Sequence, residues 1–75
     1  MGGKLYTKPN EIRRLRDELG YTRKVLAEKV RVNAATIERW EYTGAAIHPN
    51  NAERLAITLG CAVEVIAEER EDEAV

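Results

Sequence analysis

Between Thr22 and Glu41 the apolar residues fall at Val25, Leu26, Val30, Val32, Ile37 and Trp40, a helical spacing with one short break. Thr22 and Asn33 stand where two helices would begin, and each side-chain oxygen can accept an otherwise orphan N–H of a first turn. Only Arg31 and Val32 separate the two segments, too few residues for anything but a tight turn. The pattern predicts two short helices with the small Ala27 where they cross. In the second, Ile37 and Trp40 share the inward side, which makes Trp40 a core wedge. Ala34, Ala35, Glu38 and Arg39 face outward.

Residues 1–8, with Gly2, Gly3 and no apolar period, read as a flexible N-terminal arm from which Lys4 and Lys8 could reach an anion. Pro9 suits a first helical turn, Ile12, Leu15 and Leu19 mark one face, and Gly20 ends that helix. Tyr42 to Pro49 reads as a loop with an exposed His48. Asn50 or Asn51 then caps a helix that runs through Leu55, Ala56 and Leu59 to Gly60.

The signals compete from Cys61 to Ala67. Val63, Ile66 and Ala67 fit a short fifth helix, whereas the alternation of Cys61, Val63, Val65 and Ala67 fits a strand. The helix is preferred; a strand would offer dimerisation by edge pairing. Residues 68–75 read as a solvated acidic tail. The expected fold class is therefore all-α, a compact bundle of four to five short helices over residues 9–67, with a C-terminal strand as the alternative at its end.

A chain of 75 residues allows one domain, and so small a domain buries only ~60% of the surface its unfolded form exposes. No apolar run approaches a membrane span and no signal-peptide pattern opens the chain, so a cytoplasmic location is expected, with no membrane partner. One cysteine cannot form an internal disulfide, and one cysteine with one histidine cannot make a zinc site. The net charge of −1 hides a strong asymmetry. Residues 1–40 carry ten Lys/Arg against five Asp/Glu, and residues 41–75 carry two against eight. The basic half holds the outward face of the second short helix, as nucleic acid would require.

Two short helices joined by such a turn have the layout of a helix-turn-helix, whose second helix enters a major groove. At these residues the chain resembles the phage repressor and Cro-like helix-turn-helix regulators, also called XRE-type proteins, whose fold is that of the lambda repressor. Leu19-Gly20-Tyr21-Thr22, Leu26-Ala27, Thr36-Ile37-Glu38-Arg39-Trp40-Glu41, Leu55-Ala56 and Leu59-Gly60 carry the resemblance, over roughly residues 9 to 67. It implies a double-stranded DNA-binding transcription regulator, a dimeric repressor or an antitoxin-type autoregulator, with a toxin or other regulatory protein as a further partner. It also implies that Arg16 pairs with Glu41, tying the first helix to the third through a forked contact.

On the DNA side the expected contacts are Arg23, Lys24, Arg31, Asn33, Ala34, Ala35, Thr36 and Arg39. Two cations at a helix N-terminus oppose its dipole, so Arg23 and Lys24 ask for a phosphate. The family has glutamine at the Arg23 position and glycine at the Arg31 position, where positive φ is often needed. Asn33 is first a cap. Ala34 and Ala35 can meet only a thymine methyl; Arg39 can fork onto guanine. A dimer seam is expected at Val63 and Ile66.

Two other readings stand beside this one. The glycine after Trp40-Glu41-Tyr42-Thr43 comes one residue late, a spacing similar to MerR-type and excisionase winged helices. The alanines at the reading positions and the acidic second half suit a protein-interaction module on the same fold. Nothing suits an enzyme or a cofactor: there is no phosphate-binding glycine loop, and serine is absent. Cys61 reads as a small core residue.

Overall fold

A computed structural model of the chain describes residues 4–70. They form β1 (Lys4–Thr7), α1 (Pro9–Leu19), α2 (Arg23–Val30), α3 (Ala34–Tyr42), α4 (Pro49–Leu59), α5 (Val63–Ile66) and β2 (Ala67–Arg70). Met1 to Gly3 of the expected arm and residues 71–75 of the expected tail lie outside the described residues.

The helix boundaries follow from local chemistry. Thr22 accepts from Val25 N at 3.1 Å and Asn33 from Thr36 N at 2.9 Å, each supplying the first-turn acceptor that its helix lacks. Gly20 and Gly60 close α1 and α4 in the left-handed region at φ 73° and 75°, where a Cβ would be strained. The α4 cap differs from expectation. His48, not an asparagine, accepts from Asn50 N through Nδ1 at 3.1 Å, because the helix starts at Pro49.

The five helices enclose one core of Ile12, Leu26, Ala27, Val30, Ile37, Trp40, Ile47, Ala52, Leu55, Ala56, Leu59, Ile66 and Ala67. Trp40 is 2% exposed, the wedge that its spacing from Ile37 predicted. Complete burial of a large apolar side chain stabilises by roughly 1.5–3 kcal/mol, so these positions dominate the fold's stability.

The ends of the chain correct the sequence reading. Lys4–Thr7, placed in the arm, forms a strand antiparallel to Ala67–Arg70, with Lys4 opposite Arg70 and Thr7 opposite Ala67. The expected tail therefore begins inside a strand. Between Cys61 and Ala67 the preferred helix is realised as a single turn through Ile66; the strand lies beyond the alternating residues, from Ala67 to Arg70, where the Ala67 backbone becomes extended.

The β1 backbone also bonds the segment after α3, with Thr7 N donating to Ala45 O at 2.9 Å and Ile47 N to Leu5 O at 2.9 Å. A Cβ on Gly44 would lie 3.4 Å from Thr7 O and 3.2 Å from Arg70 Nη2, so glycine eases this approach. The chain turns directly into α4 at Pro49, leaving no hairpin wing, and the winged-helix alternative does not describe the fold.

Candidate nucleic-acid interface

The two sides of α3 have opposite tasks. Ile37, Trp40 and Glu41 are buried, whereas Ala34, Ala35, Glu38, Arg39 and Tyr42 are exposed along one side. At 100° per residue these five form a single exposed stripe, with Tyr42 at the end where it meets Arg13 of α1 and Arg23 of α2. A short helix with small residues at its N-terminal end and an arginine at mid-length can approach a base-pair edge closely.

The back of α3 is fixed by a charged network centred on Glu41, which has no exposed surface. Arg16 Nε donates to Glu41 Oε2 at 2.5 Å and Arg16 Nη2 to Glu41 Oε1 at 3.2 Å, the fork implied by the resemblance. Arg16 Nη1 also donates to Tyr21 O at 2.9 Å, binding the α1–α2 turn into the same cluster. Glu41 has a second partner that sequence reasoning missed. Arg23 Nε donates to Glu41 Oε1 at 2.9 Å, and Arg23 Nη2 to the Tyr42 hydroxyl at 2.6 Å. Arg13 Nη1 donates to the backbone carbonyl of Glu41 at 2.6 Å.

These bonds change the expected role of Arg23. Its side chain is 36% exposed but is committed to α3 rather than free for phosphate. The hydrogen bond to Glu41 raises the Arg23 pKa against a smaller opposing effect of burial, and Glu38 contributes a lesser Coulombic share. The cation at the α2 N-terminus is thus balanced within the protein, by a carboxylate one helix away.

Lys24, Arg31 and Arg39 are exposed, and among the described residues their side chains make no hydrogen bond or ion pair. Arg31 adopts φ 69°, ψ 43°, the left-handed conformation that favours glycine, and its N–H closes α2 by donating to Ala27 O at 2.8 Å. A side chain there costs on the order of 1 kcal/mol. Asn33 Oδ1 is occupied by both the N–H and the hydroxyl of Thr36, at 2.9 Å each. Asn33 and Thr36 therefore shape the helix start, while Ala34 and Ala35 lie open beside them.

Elsewhere, Arg14 forms ion pairs with Glu11 and Glu18 along α1, and these raise its pKa. Ile66 is sealed in the core with no exposed surface, so it cannot itself form a dimer seam as expected; Val63 is half-buried and packs against that core. No helix among the described residues is long and apolar enough to cross a membrane.

Comparison with known proteins bears on this arrangement in two ways. The profile of a family described as helix-turn-helix, XRE-type, matches residues 12–66. Among solved structures, the chain is similar to the clp gene regulator ClgR from Corynebacterium glutamicum, with a TM-score of 0.70 and 24% sequence identity. That similarity covers 76% of this chain and 62% of the other, so the chain spans less than two thirds of the regulator's length. At this identity it establishes the shared fold. Curated proteins include no significant match.

Proposed function

Because the chain belongs to the helix-turn-helix family of XRE type, we propose that it is a sequence-specific double-stranded DNA-binding transcription regulator that reads the major groove with α3. The observation that carries this reading is the division of labour on α3. Its buried side is held by Arg16, Arg23 and Trp40, while its exposed stripe offers Ala34, Ala35 and Arg39. A reading helix needs just this: a rigid back and an accessible front.

Lys24 and Arg31 lie at the two ends of α2, beside that front, as unpaired cations. Their task is phosphate contact, which orients the helix without reading sequence. The regulator acts as a homodimer, a repressor or an antitoxin-type autoregulator, and its two-fold symmetry places half-sites about 10 base pairs apart. Val63 on α5 is available to the seam, whereas Ile66 supports it from within. The similar structure's role in clp gene regulation is consistent with this reading.

The competing reading, a protein-interaction module, is favoured by the two alanines and by the internal pairing of Arg23. Selection from a pool of random DNA duplexes at low salt, followed by a salt titration, separates the two. A regulator enriches a two-fold-symmetric sequence and loses affinity as salt rises. A chain that enriches nothing is an interaction module.

A further inference from the structure

Tyr42 is the last residue of α3 and is 58% exposed, yet it is held more tightly than a surface tyrosine needs to be. The guanidinium of Arg23 lies 5.2 Å from its ring centroid and that of Arg13 lies 5.8 Å away. Arg23 Nη2 also donates to its hydroxyl. With that oxygen already accepting from Arg23, the hydroxyl hydrogen is free to donate outward, and among the described residues nothing accepts it.

The charge around the ring is unbalanced. Arg13, Arg16 and Arg23 converge on the end of α3, where the Glu41 carboxylate bonds Arg16 and Arg23, its backbone carbonyl accepts from Arg13, and the exposed Asp17 lies 3.6 Å from Arg16, so three cations face two carboxylates. Glu38, one turn earlier on the same stripe, acts on Arg23 only as a weak Coulombic neighbour. An anion is therefore favoured at the Tyr42 end of the stripe and disfavoured at the Glu38 end. Tyr42 follows Ala35 by seven residues and Glu38 by four, so it faces the same way as the reading positions.

We infer that Tyr42, set between Arg13 and Arg23, seats one phosphodiester of the DNA backbone at the C-terminal end of the reading helix. The Tyr42 hydroxyl donates to a non-bridging oxygen, and the two guanidiniums supply the field that holds the anion there. This rests on the DNA-binding reading above. It deepens that reading by assigning a backbone contact to Tyr42 with the help of Arg13, both outside the expected contact set, and of Arg23 within it. It also gives Arg23 an indirect part in binding: the arginine positions the tyrosine.

The test is a cycle between protein and DNA substitutions on a duplex obtained by selection. Duplexes carrying a single neutral methylphosphonate at successive positions are titrated by fluorescence anisotropy against the full chain and Tyr42→Phe, which keeps the ring and removes the donor. Tyr42→Phe is expected to weaken binding by about tenfold or more, as for a charge-assisted hydrogen bond. At one phosphate in each half-site, neutralisation should weaken the unsubstituted chain by a similar factor and the variant hardly further. Arg13→Lys, which keeps the charge, should retain the coupling. If duplex binding is normal but the two losses multiply at every phosphate, the phosphate seat is wrong while the DNA-binding reading stands. If the unsubstituted chain binds no duplex, both fall.

Discussion

Arg16 and Glu41 meet in a two-pronged contact, 2.5 Å and 3.2 Å long, that joins the first helix to the last turn of α3. The carboxylate is wholly buried and the guanidinium 12% exposed, so neither ion is well solvated. A buried carboxylate is tolerated only with partners, and here it accepts from two arginines.

Glu41→Ala should therefore destabilise the fold by about 3 kcal/mol, because Arg16 is left buried without its counter-ion. A double-mutant cycle by urea denaturation should give Arg16 and Glu41 a coupling well above the ~0.5 kcal/mol of an exposed pair. Coupling of Arg23 with Glu41 should be smaller, since water reaches that guanidinium. Additive losses for Arg16 and Glu41 would contradict the buried-pair account.

Arg31 separates stability from binding. Relief of its left-handed backbone means that Arg31→Gly should stabilise the protein by up to about 1 kcal/mol. If Arg31 meets a phosphate as proposed, the same change should lower the salt dependence of DNA binding by about one unit of slope. Denaturation and salt titration of one variant check both signs.

Thr7 ties the terminal strand to the end of α3. It is buried, and its hydroxyl lies 3.3 Å from Trp40 O and 3.1 Å from Thr43 O, two carbonyls at the helix end. Thr7→Val keeps the shape and removes the donor. A loss of about 1–2 kcal/mol in denaturant unfolding is expected. No loss would show that these carbonyls are satisfied without Thr7.

The bundle was legible in the sequence because its signals are local. Thr22, Asn33, Gly20 and Gly60 each act within one turn, and the positions of Ile37 and Trp40 give the buried side of α3 directly. The terminal ribbon was not legible because its two strands lie some sixty residues apart. Leu5 and Thr7 do alternate with Lys4 and Tyr6, but a four-residue alternation beside two glycines carries little weight until its partner is known. The pairing of Arg23 was missed for a related reason. The arginine's place at a helix N-terminus is a sequence fact, while its pairing with Glu41 is a tertiary one.

Cys61 offers a pH-dependent check. Burial pushes its thiol pKa up, against a smaller lowering by Arg14, so the folded state holds the proton more tightly than the unfolded chain. The resulting stability is present below the ordinary thiol range and lost as pH rises through the folded value. At pH 8 Cys61 should alkylate more slowly than a small free thiol, catching up only in more alkaline buffer. Equal rates at pH 8 would contradict the raised thiol pKa.

Arg39 tests the central claim, that α3 reads base edges. It is the one arginine on the exposed stripe, and among the described residues it has no side-chain partner. A forked contact to guanine is worth about 1–3 kcal/mol at one base pair, whereas a phosphate contact is blind to sequence. The decisive measurement is the affinity of Arg39→Ala for the selected duplex and for random duplex, after circular dichroism shows that the variant is folded. The account predicts a larger loss on the selected duplex, with relaxed preference at a single position in each half-site. Equal losses on both duplexes would contradict it.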